Sequence, residues 1–271
     1  MSDNPMVSVI MPCRNAVKYI RVAVDSFLEQ TYENCELIVV DNSDDGTREI
    51  LDEYAQRFCF TRGKLYPAGG NVCVLHQNRP GRYDAGMNQA LEVAKGEYIA
   101  RVCADDAMLP DKLTAQVMEI RSAKADIVTC GSCYIDAAGV PVNAQGHDSP
   151  QVLTPMNLEQ YANGIQDGTP VSDTTLAPRE IYDRIGPFQP NDEACDAWWN
   201  FQAIRLGLTW AHVPAVHYLY RVHAESWSAT GGGANHYRYL DLVREYQNAR
   251  LGNPAASGEL SGVEAPEAVR T

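Results

Sequence analysis

The stretch Val7-Ser-Val-Ile-Met11 is a short run rich in β-branched residues, and Pro12-Cys-Arg-Asn15 follows it directly. A second apolar run of strand length extends from Leu37 to Val40, and the apolar residues between the two runs recur at helical spacing. Strand, helix and strand in this order form a βαβ unit. Runs that are apolar throughout are typical of strands buried on both faces. The fold class is therefore predicted to be α/β, a three-layer sandwich with a mostly parallel central sheet between helices.

The same alternation continues through the first half of the chain. Helices are predicted around residues 50–58 and 87–94 and over 111–123, and strands at 72–75, 98–102 and 127–135. Beyond a turn at residues 136–139 the pattern loosens into Pro-, Gly-, Asn- and Asp-rich loops up to residue 178, with a short helix around 157–163. A helix over 197–206, apolar segments at 210–213 and 216–222, and a last helix over 237–251 follow. From residue 252 a disordered tail is expected.

Composition excludes several classes of protein. The chain has 271 residues with 45% hydrophobic and 21% charged residues, which is ordinary for a folded globular protein. Its formal net charge of -13 argues against a surface that grips nucleic acid. No apolar run approaches the roughly 18 residues that span a bilayer, and the N-terminus lacks the features of a signal peptide. A cytoplasmic location is therefore expected, with the eight cysteines reduced and no membrane anchor.

Acidic residues follow two of the predicted strands. Asp41-Asn-Ser-Asp-Asp-Gly-Thr47 comes after the second strand and Cys103-Ala-Asp-Asp106 after the fourth. Ligands of open parallel sheets bind at the carboxyl ends of the strands, so these residues are predicted to share one crevice. Carboxylates that converge in this way favour a hard cation, Mg²⁺ or Mn²⁺. Neither a dinucleotide-binding Gly-x-Gly-x-x-Gly motif nor a phosphate-binding P-loop is present, which argues against dehydrogenases and P-loop enzymes.

Several motifs in order resemble those of family 2 glycosyltransferases with the GT-A fold. They are Val7 to Asn15, Glu36-Leu-Ile-Val-Val-Asp41 with Gly46-Thr47, Asn88-Gln-Ala-Leu91 with Ala94 to Ile99, Ala104-Asp-Asp106 with Pro110, Gly186-Pro-Phe188, and Tyr220-Arg-Val-His223. Residues 82–113 are most similar to bacterial enzymes of the spore-coat polysaccharide type. The resemblance implies one domain over residues 1–251. Its nucleotide-binding half would cover about 1–135 and its acceptor-binding half about 136–251, with the tail at 252–271.

The resemblance also implies which residues bind the donor, a nucleotide-diphospho-sugar. The first two strand ends hold the nucleotide, and Asp41 would accept a hydrogen bond from the uracil or the ribose. The loop after the fourth strand would contact the diphosphate. The residues carried over to the donor site are Pro12, Asn15, Asp41, Ser43, Arg82, Ala104 and Asp105.

The family's metal motif, Asp-x-Asp, is present only in part. Cys103 occupies its first position, and a thiol is a soft ligand that suits Mg²⁺ or Mn²⁺ poorly. Asp105 is the expected metal ligand. Asp106 would assist through a water molecule or by holding the loop, and His223 would add a ligand from the carboxyl-terminal motif.

The resemblance places the catalytic base in an acidic motif before a Trp-containing helix, which corresponds to Asn191 to Trp199. One alignment, anchored on Glu193, places Ala194 at the base position, and another, counted back from Gly207, places Asp196 there. Asp196 is the predicted base, because its spacing to the helix matches the family. One base opposite a metal-held leaving group implies an inverting displacement.

The predicted function is therefore transfer of a sugar, most simply from a UDP-sugar, to a hydroxyl acceptor in polysaccharide or glycoconjugate synthesis. The acceptor would be a sugar, a lipid-linked sugar or another hydroxyl compound. The alternative is a non-catalytic protein of the same fold that binds nucleotide sugars or glycans. This alternative is motivated by Cys103, which replaces the first aspartate of the metal motif. The last predicted helix leaves two options open, packing on its own domain or forming a homodimer.

Overall fold

The computed structural model describes residues 4–58, 71–77, 82–143, 146–147, 152–153, 173–189, 195–226 and 229. The predicted helices at 157–163 and 237–251 and the predicted tail from residue 252 lie outside the described residues. The division of residues 1–251 into two functional halves stays a prediction.

Strands and helices alternate through the first half of the described chain, as the apolar periodicity predicts. The strands are β1 (Val7–Cys13), β2 (Cys35–Asp41), β3 (Asn71–His76), β4 (Tyr98–Arg101), β5 (Ala107–Met108), β6 (Ile127–Ile135), β7 (Val152–Leu153), β8 (Leu176–Pro178) and β9 (Trp210–Arg221). The helices are α1 (Ile20–Leu28), α2 (Thr47–Phe58), α3 (Tyr83–Val93), α4 (Lys112–Ala123), α5 (Arg179–Ile185) and α6 (Cys195–Arg205).

The described strands form one sheet in the order β3-β2-β1-β4-β8-β6-β9-β5, with β7 paired to β6. The pairs β1 with β2, β2 with β3, β1 with β4, and β6 with β9 are parallel. The short strands β5, β7 and β8 are antiparallel to their neighbours. The predicted α/β class and mostly parallel sheet are confirmed. The carboxyl ends of β1, β2 and β4 consequently lie at the same edge.

Alternation of side chains along β1 divides the core into two layers. Val9 and Met11 pack into a cluster with α1 on one face of the sheet, whereas Ile10 packs into a cluster with α3 and α6 on the other. Helix α1 buries Ile20, Ala23, Val24 and Phe27, which recur every three or four residues. Both faces of the central strands are covered, which explains why their sequences are apolar throughout.

The second half differs from the prediction in several places, one of which is the strand β7 in a stretch predicted as loops. Two predicted apolar segments form the single strand β9, because a bulge beside Gly131 keeps β9 paired with β6 across the interruption. A Cβ atom at residue 131 would lie 2.7 Å from the carbonyl oxygen of Ala215, so this close approach requires glycine. Strand β8 and helix α5 occupy positions where no regular element was predicted. None of the described helices is long and apolar enough to cross a membrane.

Candidate active site

Hydrogen bonds between two neighbouring loops join the ends of β1 and β2. The backbone N–H of Asn15 donates to the Ser43 hydroxyl (2.8 Å), and the backbone N–H of Asp44 donates to the Asn15 side-chain oxygen (3.0 Å). Asn15 has a φ of 52°, a left-handed conformation that asparagine tolerates better than most residues. Asn15 and Ser43, predicted at the donor site from separate motifs, therefore lie side by side. Pro12 is buried one strand position before the end of β1.

Asp41 has a different environment from the expected one, because its side chain is wholly buried. Its Oδ1 accepts a hydrogen bond from the backbone N–H of Ser43 (3.1 Å), and its Oδ2 lies 2.8 Å from His76 Nδ1. The other ring nitrogen of His76 lies 3.0 Å from an Asp52 oxygen. With no accessible surface, Asp41 cannot touch a nucleoside directly in this conformation. It fixes the turn that presents Ser43 instead.

The loop after β4 brings Asp105 beside His223. Asp105 Oδ2 and His223 Nε2 are 3.1 Å apart, and both side chains are partly open to solvent. The loop is held from β9, since the Arg221 Nε–H donates to the backbone carbonyl of Asp105 (2.7 Å). Residues 118 positions apart in the chain thus place one carboxylate oxygen and one imidazole nitrogen at a single point of the crevice.

Asp106 is buried, although it follows Asp105 directly. The Tyr218 hydroxyl donates to its Oδ2 (2.7 Å) and the backbone N–H of Arg221 donates to its Oδ1 (2.7 Å). Burial, followed by the charge of Asp105, raises the pKa of the Asp106 carboxyl well above its usual range. Of the two predicted ways in which Asp106 would help the metal, this geometry favours holding the loop. Ala104, in the same loop, is also buried.

Cys103, Asp106 and Asp173 form a second group of ligand atoms, all within 4.8 Å of one another. Burial raises the pKa of the Cys103 thiol well above its usual range, so the thiol stays protonated and hydrogen-bonds to Asp173. Asp106 already accepts two hydrogen bonds. A neutral thiol beside an occupied carboxylate is a poor metal site, and we assign this group to the support of the loop.

Asp196 is in the first turn of α6 and is partly buried. Its charge acts on Asp173, whose pKa is raised to about 6 by burial and then by Asp196. Glu193 and Ala194, on which the alternative alignment depends, lie outside the described residues. The neighbouring Trp199 is fully buried and packs on Tyr182, with ring centroids 4.7 Å apart. It therefore belongs to the core.

Arg82 precedes α3, and its guanidinium Nε lies 3.2 Å from Asp84 Oδ1. The side chain is 43% exposed, so it is free to reach a ligand at the edge of the crevice. Residues 78–81 before it are outside the described part of the chain. The predicted contact between Arg82 and the nucleotide stays a prediction.

A family model with the description Glycosyl transferase family 2 matches residues 8–190, more than half of the chain. This chain belongs to glycosyl transferase family 2. The match includes β1, β2 and the loop after β4, which build the proposed donor side of the crevice. The match ends before α6, which carries Asp196, and before β9, which carries Arg221 and leads to His223.

An uncharacterized glycosyltransferase of Rickettsia prowazekii is 34% identical over 206 residues, which is 73% of this chain and 59% of the relative. The fold is similar to that of S. aureus TarS 1-349 in complex with UDP-GlcNAc (TM-score 0.65, 20% identity, 88% of this chain and 65% of TarS 1-349). It is also similar to the mannosyltransferase PcManGT from Pyrobaculum calidifontis in complex with GDP-Man and Mn²⁺ (TM-score 0.60, 20% identity, 96% and 77%). The chain thus spans less than two thirds of the first two proteins.

The structure adds residues to the family 2 crevice that the sequence interpretation missed. Arg101 is fully buried, its Nε–H donates to Thr175 Oγ1 (2.8 Å), and its guanidinium lies 4.8 Å from the centroid of the Trp199 ring, while its other nitrogens have no hydrogen-bond partner in the described chain. A charged residue inside a buried strand is rare, and this signal was available in the sequence. Asp173 lay in a loop-rich stretch without a motif. Tyr218 and Arg221 lie in an apolar segment with the pattern of an ordinary strand, so their contacts with the Asp105 loop were not predicted.

Proposed function

We propose that this chain is an inverting glycosyltransferase. It would transfer a sugar from a nucleotide-diphospho-sugar, most simply a UDP-sugar, to an acceptor hydroxyl with the help of Mn²⁺ or Mg²⁺. The observation that carries the proposal is the pairing of Asp105 with His223 at the edge where Asn15 and Ser43 also meet. Two of the similar structures contain UDP-GlcNAc and GDP-Man, which supports a nucleotide sugar as the donor.

The donor would bind across the ends of β1 and β2. Asn15 and Ser43 are joined to each other and are not completely buried, so their remaining polar groups can face the nucleoside. Asp41 would hold Ser43 in position, because it accepts a hydrogen bond from the Ser43 N–H. Arg82 is an accessible cation at the crevice edge and would contact the diphosphate.

A divalent cation fits the residues that are present. Asp105 supplies a carboxylate oxygen and His223 an imidazole nitrogen, and Mn²⁺ accepts both ligand types. Mg²⁺ and Mn²⁺ commonly use one or two protein carboxylates together with substrate phosphates, so a complete protein cage is not required. When bound, the cation would stabilise negative charge on the leaving diphosphate. Asp106 would hold the loop, since both its oxygens are occupied.

Asp196 would act as the general base. In the transfer step the acceptor hydroxyl gives its proton to the Asp196 carboxylate while its oxygen forms a bond to the anomeric carbon. The bond between that carbon and the phosphate oxygen breaks, and the nucleoside diphosphate leaves with the electron pair. Attack from the side opposite the leaving group inverts the configuration. The position of Asp196 in the first turn of α6, where its charge reaches Asp173, supports this role.

Release of nucleoside diphosphate from UDP-, GDP- and dTDP-sugars with Mn²⁺ or Mg²⁺ tests the proposal. Water can replace the acceptor, so slow metal-dependent release from one donor class is expected even without a known acceptor. Asp105→Ala and Asp196→Asn should both abolish the release. Asp183→Asn, which alters an exposed aspartate on α5, is the matched control and should retain it.

The alternative function gives a different result in the same experiment. Metal-dependent binding of UDP without turnover of any donor, also when sugar acceptors are supplied, would favour a non-catalytic binding protein. Retention of full activity in Asp105→Ala would contradict the proposed metal site, whereas retention in Asp196→Asn would contradict the proposed base.

A further inference from the structure

The His223 ring lacks the hydrogen bond that usually orients a metal-binding histidine. Its Nε2 faces Asp105, while its Nδ1 is buried and has no hydrogen-bond partner among the residues that the structure describes. Metal-binding histidines almost always donate the second ring N–H to a carboxylate, a carbonyl or a water, which fixes the ring. Another interaction must therefore orient this ring.

The aromatic ring of Tyr19 lies against His223. The two ring centroids are 4.7 Å apart and the ring planes are inclined by 48°. The guanidinium carbon of Arg221 lies 4.9 Å from the centroid of the same Tyr19 ring, within range of a cation–π interaction. Arg221 also binds the backbone carbonyl of Asp105. Tyr19 thus contacts both Arg221 and His223, the two residues that bind Asp105 itself.

The backbone of Tyr19 is itself well fixed. Tyr19 is the N-cap residue of α1, and its N–H donates to the Ala16 carbonyl (2.9 Å). The N–H of Ala16 donates in turn to Thr47 Oγ1 (2.9 Å), which ties this turn to the start of α2. The ring therefore extends from a rigid turn beside Asn15, and it reaches a side chain more than 200 positions later in the chain.

We infer that Tyr19 is the positioning residue of His223, and that the tilted ring contact replaces the missing hydrogen bond. The inference rests on the proposed function, because it concerns the residue proposed to bind Mn²⁺ or Mg²⁺. The contact is between the two aromatic rings, so a phenyl ring should serve as well as a phenol. An aliphatic side chain would leave the imidazole free to rotate about its χ2 bond.

Mn²⁺ binding, measured by electron paramagnetic resonance with UDP and in parallel with GDP, tests this inference. Electron spin-echo modulation from a directly bound imidazole nitrogen reports His223 separately from the total affinity. Tyr19→Phe should keep both the affinity and the nitrogen signal. Tyr19→Leu should lose the nitrogen signal, as His223→Ala does, and should bind Mn²⁺ about 10- to 100-fold more weakly, the range for loss of an orienting partner.

Tyr32→Leu is the matched control, because Tyr32 is also partly buried but precedes β2, at the end of that strand opposite to Asp41, and it should leave Mn²⁺ binding unchanged. Thermal unfolding checks that each variant is folded, and Tyr19→Met replaces Tyr19→Leu if the latter does not fold. An unchanged nitrogen signal and affinity in folded Tyr19→Leu would overturn the inference alone. Absence of Mn²⁺ binding, or of the nitrogen signal, in the wild-type protein would overturn the proposed metal site and the inference with it.

Discussion

The crevice has a proposed donor end, at the loops after β1, β2 and β4, and a proposed acceptor end, at the start of α6, and the carboxylates of the two ends differ in burial. At the donor end Asp41 and Asp106 are buried and each accepts close hydrogen bonds from the surrounding protein. Asp173 is buried between the two ends, since the Cys103 thiol donates to it and the charge of Asp196 acts on it. The proposed base at the acceptor end, Asp196, is only partly buried. The donor end is therefore organised before any ligand binds, whereas the acceptor end keeps a partly exposed carboxylate, as a base that must reach a ligand requires.

The largest expected effect of a substitution is at the acceptor end. Asp196→Asn removes the proposed base while keeping the size of the side chain, so kcat should fall by about 10²- to 10⁴-fold. The free energy of unfolding should change little, because Asp196 is only partly buried. Steady-state kinetics with the donor class that the release experiment selects checks this prediction. A kcat within a few-fold of wild type would place the base elsewhere.

Asp106→Ala should have the largest effect on stability at the donor end. The substitution leaves the Tyr218 hydroxyl and the Arg221 N–H without their acceptor in a buried place. Each unsatisfied group costs about 1 to 3 kcal/mol, so the free energy of unfolding should fall by about 2 to 6 kcal/mol. Urea denaturation compares this variant with Asp105→Ala, for which little loss is expected because Asp105 is partly exposed. Equal losses in the two variants would contradict the assigned division of roles.

The Asp173→Asn substitution tests the role of this buried carboxylate through the pH dependence of folding stability. Burial and the Asp196 charge raise the pKa of Asp173 to about 6, above its unfolded value of about 3.9. Between these pH values the folded protein keeps a proton that the unfolded chain has lost, so the contribution of Asp173 to stability falls as the pH rises through this window. The asparagine side chain of the variant does not titrate. The variant should match wild type near pH 4 and exceed it by on the order of 2 to 3 kcal/mol at pH 7.

Urea denaturation at several pH values measures that difference. Buffers between pH 4 and pH 8 cover the window, and Asp183→Asn serves as the exposed control whose difference from wild type should not vary with pH. A stability difference for Asp173→Asn that stays constant from pH 4 to pH 7 would show that ionisation of Asp173 does not lower the free energy of unfolding.

The smallest expected effect concerns the link between β1 and β2. Ser43→Ala removes the acceptor of the Asn15 N–H, which lies near solvent and can bind water instead. The free energy of unfolding should fall by about 1 kcal/mol or less. Weaker binding of the nucleoside diphosphate is also expected, since Asn15 and Ser43 would lose their fixed relation. Calorimetry with UDP and GDP measures this, and unchanged affinity for both would remove Ser43 from the donor site.

The first half of the fold was predictable because local patterns decide it. The apolar runs of β1 and β2 and the helical spacing in α1 each agree with the layer into which they pack. The second half was less predictable, because β8 has only three residues and β9 continues through a bulge that depends on Gly131. Strands of this kind are specified by their partners more than by their own sequence.

The site was predictable in outline but not in its contacts. Motif position suggested Asp105 and His223 together, and the structure brings them to 3.1 Å. Motif position did not reveal that Asp41 contacts His76, or that Asp106 accepts a hydrogen bond from Tyr218, since these partners come from other strands. The roles of neighbouring aspartates depend on burial, and burial is set by tertiary packing.

The proposed function assigns donor binding to one end of the crevice and the reaction to the other. Titration calorimetry of UDP and GDP with Mn²⁺, combined with turnover on the same samples, tests this assignment for wild type, Asp105→Ala and Asp196→Asn. Asp196→Asn should keep wild-type nucleotide affinity without turnover, whereas Asp105→Ala should lose the metal-dependent part of the affinity. Wild-type affinity in Asp105→Ala, or loss of affinity in Asp196→Asn, would contradict the assignment.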